Sequence, residues 1–99
     1  MQKSYTVVVV LEAKPGKQDE LKSALKAVIE PSRNESTNLE YRLHQDLNNP
    51  AQFVLYENWI SKEAHQLQFQ KPYIAELGDK LGALMAGSYQ AIFAEPVDL

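Results

Sequence analysis

The sequence contains no cysteine among its 99 residues. That absence excludes disulfide bonds, thiolate metal sites and a cysteine nucleophile. Long apolar runs are missing as well, because the valine-rich stretch over residues 7–11 is too short for a signal-peptide core or a membrane span. We therefore expect a cytoplasmic protein with no membrane partner.

A strong charge of either sign is also absent. The formal net charge is −3 and no basic cluster is present, which argues against nucleic acid as a partner. The sequence has neither a glycine-rich phosphate loop nor a Ser-His-Asp arrangement. The two histidines are far apart and make a weak case for a metal site. We expect His44 to be solvated on the wetter face of a strand, and His65 to lie on a helix surface.

What the sequence does have is the composition of a folded domain. Apolar residues make up 44% of the chain and charged residues 23%, as in ordinary globular proteins. Five tyrosines, three phenylalanines and one tryptophan set it apart from disordered sequences. Since 99 residues suit a single core, we expect one domain over residues 1–99.

The first third of the chain predicts a strand followed by a helix. A β-branched run predicts a buried strand over Tyr5 to Ala13, which the Lys14-Pro15-Gly16 turn ends. Pro31 is expected to kink or end the helix that follows, although the capping-box spacing of Ser32 and Glu35 allows a short extension. The apolar stripe of this amphipathic helix consists of Leu21, Ala24, Leu25, Val28 and Ile29.

Two strands joined by a tight turn come next. Leu39 to Asp46 alternates apolar and polar residues, which is typical of a strand with one wetter face. Phe53 to Ile60 is apolar on both faces, and the turn residues over 47–51 separate the two segments. We expect them to pair as an antiparallel hairpin.

A broken helix completes the pattern. Ser61 is a good N-cap for a first segment whose apolar residues are Leu67 and Phe69. Pro72 begins a second segment, which Gly87 ends. With a last strand over residues 88–95, the order is βαββαβ. This order predicts an α+β, ferredoxin-like fold, an antiparallel sheet with helices on one face.

The two-sided strand over residues 53–60 also predicts assembly. Because side chains alternate across a strand, one face carries Phe53, Leu55, Glu57 and Trp59. The opposite face carries Val54, Tyr56, Asn58 and Ile60. Two helices cover only one face of four strands, and the other face would expose a large apolar patch. We therefore predict an obligate homodimer in which two sheets face each other around a barrel-like core.

Two residues of this strand have both a structural and a functional interpretation. A buried carboxylate at Glu57 needs a partner, which could be a loop amide or the cation of Arg33 or Arg42. Alternatively, burial raises the pKa of Glu57 and makes it a general base. Trp59 fills the core or the dimer interface, or forms a cavity wall that stacks on a flat substrate, and these roles are compatible.

Short motifs occur in a characteristic order along nearly the whole chain. They are Lys14-Pro15-Gly16, Ser32-Arg33-x-Glu35, Leu39-x-Tyr41-x-Leu43, Asn49-Pro50, Phe53-Val54-Leu55-Tyr56-Glu57-x-Trp59 and Ser61-Lys62-Glu63-Ala64. In this order and spacing the chain resembles the antibiotic-biosynthesis monooxygenase (ABM) domain family, whose members are dimeric α+β barrels. The resemblance implies a homodimer with a cavity between sheet and helices.

The same resemblance implies a class of reaction. Some family members oxidise polycyclic phenols or quinols with O₂ and use no flavin, metal or haem. The chain is accordingly expected to be a cofactor-independent monooxygenase acting on a small aromatic phenol or quinol. Its candidate catalytic and lining residues are Trp59, His65, Tyr73 and Asn58.

Two positions differ from the usual family pattern and leave alternatives open. Gln68 and Tyr73 stand where members often carry histidine. This difference favours a non-catalytic, small-ligand-binding or stress-associated module on the same fold. A third interpretation, an isomerase of a small phosphorylated signalling sugar, requires a basic pocket, for which Arg33, Arg42 and Lys71 are the candidates.

Overall fold

The computed structural model describes residues 4–98. Its elements are β1 (Tyr5–Glu12), α1 (Gln18–Lys26), α2 (Ile29–Arg33), β2 (Asn38–Gln45), β3 (Gln52–Trp59), α3 (Lys62–Gln68), α4 (Pro72–Leu84) and β4 (Gln90–Ala94). Each of the two helical regions is broken into two segments. The order confirms the predicted α+β, ferredoxin-like arrangement.

The four strands form one antiparallel sheet in the order β2-β3-β1-β4. β2 and β3 form the predicted hairpin, and β1 lies at the centre between β3 and β4. In the register of these pairs, Tyr41, Glu57, Val7 and Phe93 make one row across the sheet. Directly paired residues share a face, so this row lies on a single side of the sheet.

The first helical region breaks before Pro31 rather than at it. Leu21, Ala24, Leu25 and Val28 of the predicted stripe are buried, and α1 ends at Lys26. Pro31 then lies in the first turn of α2, where a helix needs no backbone N–H from its residues. The expected kink or end at Pro31 was therefore wrong, and the short extension to Arg33 is confirmed.

The second helical region begins and breaks where the sequence predicts. The Ser61 hydroxyl accepts a 3.1 Å hydrogen bond from the Ala64 amide and caps α3. Pro72 is the first residue of α4. However, Leu67 and Phe69, the expected apolar face of α3, are 54% and 57% exposed. The helix instead buries Ala64, His65 and Gln68.

Only one face of the sheet is covered by the helices. Trp59 and Phe53 on that face have no exposed surface, and Leu55 and Glu57 are also buried. The side chains on the opposite face are half-buried or exposed, and they include Val8, Val10, Val54, Tyr56 and Ile92. No helix within residues 4–98 is long and apolar enough to cross a membrane.

Candidate functional site

A cavity of about 510 Å³ lies between the covered face of the sheet and helices α3 and α4. This volume is typical of sites for small molecules. Its walls are mostly apolar and include Val7, Val9, Leu55, Leu81 and Phe93. Five side chains with polar groups also line the cavity, namely Tyr41, Glu57, His65, Gln68 and Tyr89. A few polar groups on an apolar wall can orient a small ligand.

Glu57 lies in the middle of β3 and its side chain is buried on the cavity wall. Burial raises the pKa of this carboxyl to about 7, because the charged form loses its hydration. The indole Nε1 of Trp59 donates a 2.9 Å hydrogen bond to Oε1 of Glu57 and opposes that rise. Near neutral pH the carboxyl is therefore able both to hold and to release a proton.

The arginines proposed as partners of Glu57 bind elsewhere, so that expectation was wrong. Arg33 donates from Nε to the backbone carbonyl of Tyr41 at 2.9 Å. Arg42 forms an ion pair with Glu40 at 2.7 Å on the opposite face of the sheet. Glu57 is hydrogen-bonded to a neutral indole and not to a cation. Burial therefore has the larger effect on its pKa and raises it.

His65 projects inward from α3 and is only 5% exposed. The expectation of a helix-surface histidine was therefore wrong, whereas His44 is exposed as predicted. The imidazole Nε2 lies 3.9 Å from Oε1 of Glu57, which is longer than a hydrogen bond. Burial lowers the pKa of His65, because it disfavours the imidazolium. The imidazole thus keeps an unprotonated nitrogen near neutral pH.

Aromatic rings surround this imidazole. Its ring centroid is 5.1 Å from that of Phe69, 5.7 Å from Tyr5, 5.8 Å from Trp59 and 6.1 Å from Phe93. An apolar shell of this kind excludes water from the histidine, and the negative ring faces can still stabilise a cation that forms there.

A second polar group lies on the helix side of the cavity. The amide Nε2 of Gln68 donates to the Ser32 hydroxyl at 2.9 Å and lies 3.4 Å from the Tyr73 hydroxyl. Tyr73 in turn donates to Oε2 of Glu35 at 3.0 Å, and Lys71 pairs with the other oxygen of Glu35 at 3.5 Å. This chain of contacts runs from the cavity wall to the protein surface.

Tyr41 lies beside both polar groups. Its side chain is almost wholly buried, and burial, followed by the charge of Glu57, raises its pKa far above the ordinary value. Ser32 and Gln68 partly oppose this rise, which places their polar atoms near the phenol. Tyr41 is therefore a neutral hydrogen-bonding group at physiological pH.

The structure separates the four candidate residues. His65 reaches the cavity, whereas Trp59 lies behind Glu57 and Tyr73 lies behind Gln68, and neither is among the residues that line it. Asn58 lies on the opposite face of the sheet, where it accepts from Thr6 at 2.6 Å and donates to Glu40 at 3.0 Å. Sequence reasoning considered Ser32 as a helix cap and Tyr41 among the tyrosines of the core, interface or pocket, and it placed neither of them beside Gln68.

No cluster of three histidine, aspartate or glutamate side chains within residues 4–98 is arranged to hold a metal ion. The polar groups of the cavity are suited to proton transfer and hydrogen bonding instead. A carboxyl and an imidazole, both biased by burial towards their uncharged forms, face a water-poor space. The unprotonated imidazole can accept a proton from a ligand hydroxyl, and the neighbouring carboxyl, when ionised, can stabilise the imidazolium that forms.

Comparison with known proteins identifies the family. The model of the family described as antibiotic biosynthesis monooxygenase matches residues 4–80. The chain belongs to the antibiotic biosynthesis monooxygenase family. An uncharacterized protein of Synechocystis, sll1783, is 32% identical over 76 residues, which cover 77% of this chain and 52% of that protein. The chain therefore spans about half the length of this curated relative.

Solved structures of the ABM fold match almost the whole chain. PA3566 from Pseudomonas aeruginosa superposes with a TM-score of 0.94 at 24% identity, over 99% of this chain and 98% of that one. Rv0793 from Mycobacterium tuberculosis gives 0.91 at 22% identity, over 97% of each chain. At these identities the likeness shows the fold.

Proposed function

We propose that this ABM protein oxygenates a small aromatic phenol or quinol with O₂ inside the cavity. The observation that carries the proposal is the Glu57–His65 pair, whose Oε1 and Nε2 lie 3.9 Å apart on an apolar wall. The family resemblance supports a reaction in which the substrate supplies the electrons, without flavin, metal or haem. In such a reaction the protein has to remove a proton from the substrate and exclude water.

The first step is deprotonation of the phenol by His65. The unprotonated imidazole accepts the hydroxyl proton, and the neighbouring Glu57 stabilises the imidazolium when its carboxyl is ionised. The phenolate then gives one electron to O₂, forming superoxide and a phenoxyl radical. These radicals combine at the para carbon to give a peroxide anion.

The second step breaks the O–O bond. The imidazolium returns its proton to the peroxide, and the para carbon then loses its hydrogen as a proton. The electron pair of that C–H bond forms the new carbonyl while hydroxide leaves and is protonated to water. One phenol and one O₂ thus give one quinone and one water, and no external reductant is needed. The mostly apolar lining of the cavity offers few polar groups to hold water beside the radical pair.

The cavity lining also bears on the isomerase alternative. None of the described residues that line the cavity is a lysine or an arginine. Arg33 and Arg42 are exposed, and Lys71 pairs with Glu35 away from the cavity. A phosphorylated sugar would leave its charge unpaired among apolar side chains, which is costly. The lining supports an uncharged aromatic ligand instead.

We also propose that the functional unit is a homodimer. The support is the row of half-buried apolar side chains on the uncovered sheet face, which includes Val8, Val10, Val54 and Tyr56. A second copy facing this row would remove the apolar surface from water. The cavity lies on the other side of the sheet, so each protomer keeps its own site.

Turnover of a panel of phenols and naphthols with a free para position, with and without O₂, tests the proposed reaction. We expect an O₂-dependent quinone product, and a loss of roughly 10²- to 10⁴-fold in kcat/KM for His65→Gln. His44→Gln makes the same change at an exposed histidine and should leave turnover unchanged. Absence of O₂-dependent product across the panel, or full activity of His65→Gln, would contradict the proposal.

One observation favours a second candidate, a non-catalytic binding module. The two positions that carry histidine in many relatives are Gln68 and Tyr73, and here they hydrogen-bond to each other and to Ser32 and Glu35. Neither group has a pKa suited to proton transfer at neutral pH. Thermal stabilisation by panel compounds without any product would select this candidate.

A further inference from the structure

The amide of Gln68 is held in one orientation by its neighbours. A carboxylate only accepts hydrogen bonds, so the Tyr73 hydroxyl, 3.0 Å from Oε2 of Glu35, is the donor in that contact. The Tyr73 oxygen is then left with lone pairs for its other neighbour. The Gln68 atom 3.4 Å away must therefore be the N–H-bearing nitrogen. The Ser32 hydroxyl accepts from the same nitrogen at 2.9 Å.

This orientation leaves the carbonyl oxygen of Gln68 for a ligand. The hydrogen bonds from Gln68 to Ser32 and Tyr73 both leave from Nε2, and the Tyr41 phenol also lies near this amide. No fully enclosed side-chain nitrogen or oxygen in the same range lacks a partner, so Oε1 borders open space. Gln68 is only 4% exposed and lines the cavity, which is therefore the space that its oxygen meets.

We infer that Oε1 of Gln68 accepts a hydrogen bond from the hydroxyl of the cavity ligand and selects phenols over their ethers. An amide oxygen accepts a hydrogen bond from a hydroxyl group. It is repelled by the lone pairs of an ether oxygen in the same place. Tyr73 and Ser32 are positioning residues, because they act through the orientation of this amide. The inference rests on the proposed function only for the aromatic class of the ligand.

Anaerobic binding of 1-naphthol and its methyl ether tests this assignment without turnover. We expect the ratio of their dissociation constants to favour naphthol about fivefold more in the wild type than in Gln68→Leu. Gln66→Leu makes the same change on the solvent side of the same helix and should keep the wild-type ratio. An equal ratio in wild type and Gln68→Leu, or binding of neither compound by the wild type, would overturn the inference.

Two further variants keep the test decisive. If leucine at this buried position prevents folding, Gln68→Met preserves the unbranched shape and should lose the same discrimination. Tyr73→Phe removes the oxygen that fixes the amide, which can then turn its N–H towards the ligand. The ratio of dissociation constants should therefore shift in favour of the methyl ether. Loss of a tyrosine with only a structural role would not cause this shift. An unchanged ratio in Tyr73→Phe would refute the positioning role.

The outcomes separate this inference from the proposed reaction. Discrimination that depends on Gln68, without any O₂-dependent product, would support the inference and overturn the oxygenase proposal. Quinone formation with the same naphthol preference in wild type and Gln68→Leu would support the oxygenase proposal and overturn the inference about Gln68.

Discussion

Trp59 donates a 2.9 Å hydrogen bond from its indole nitrogen to Glu57, two residues earlier on the same face of β3. Both side chains are buried, yet only Glu57 lines the cavity. The bond lowers the pKa of Glu57, but the larger effect of burial raises it to about 7. Trp59 therefore influences the cavity through the carboxyl that it contacts, and not as a wall against the ligand.

Replacing Glu57 by glutamine should change how stability depends on pH. The pKa of Glu57 is about 7 in the folded protein, against 4.5 for an ordinary glutamate. Between these values the folded state holds more protons than the unfolded state, so stability falls as pH rises. The wild type should lose about 3 kcal/mol across this window, and Glu57→Gln should not lose this contribution.

Urea unfolding of both proteins at about pH 5 and about pH 8 measures this difference. The stability of Glu57→Gln relative to the wild type should be greater at the higher pH. A constant difference between the two proteins would mean that the carboxyl does not titrate in this range.

His65 should give the opposite pH dependence. Burial lowers its pKa below the ordinary value of 6.5, so the unfolded state binds the additional proton in acid. Stability should therefore fall as the pH drops below 6.5, and His65→Gln should remove that contribution. The exposed His44, replaced in the same way, is the matched control. Identical acid unfolding of His65→Gln and wild type would contradict the buried, uncharged imidazole.

Removal of the α3 cap should destabilise the protein measurably. In Ser61→Ala the Ala64 amide loses the hydroxyl that accepts its hydrogen bond. Losses of this kind typically cost about 1 kcal/mol, within a range of roughly 0.5–2 kcal/mol. Ser88→Ala, at an exposed serine before β4, is the control and should be nearly neutral. Equal urea midpoints for Ser61→Ala and Ser88→Ala would show that the cap contributes nothing.

The uncovered sheet face should mediate dimerisation. Val8 lies on central strand β1, opposite Tyr56 of β3 and Ile92 of β4. In Val8→Glu a charge would face its own copy across the interface, and we expect sedimentation to change from dimer to monomer. Leu47→Glu places the same charge in a turn, at a residue that is 99% exposed, and should remain dimeric. A wild type that is monomeric at micromolar concentration would refute the homodimer.

The sheet and its hairpin could be predicted because a strand fixes side-chain alternation through its backbone. Phe53, Leu55, Glu57 and Trp59 had to share one face once the strand was recognised, and the structure buries all four. Pro72 predicted its helix start for a similarly local reason. The break near Pro31 was harder to place, since proline is compatible with the first turn of a new helix.

The site depended on contacts that no local pattern contains. His65 appeared exposed because its helix carries Leu67 and Phe69, and only the tertiary packing shows which face of α3 turns inward. The partner of Glu57 is Trp59, only two residues away, but the hydrogen bond depends on how the indole ring is oriented, which the sequence does not show. The sequence does indicate that Gln68 faces the same way as His65, because a residue three positions later lies on the same face of a helix.

Oxidation under ¹⁸O₂ shows whether the oxygen atom added to the substrate comes from O₂. A phenol with a free para position is turned over, the product is reduced at once to limit exchange with water, and its mass is measured. The proposed reaction predicts one labelled oxygen in each product molecule and the second in water. Product without label, or no product under O₂, would contradict oxygenation in the cavity beside Glu57 and His65.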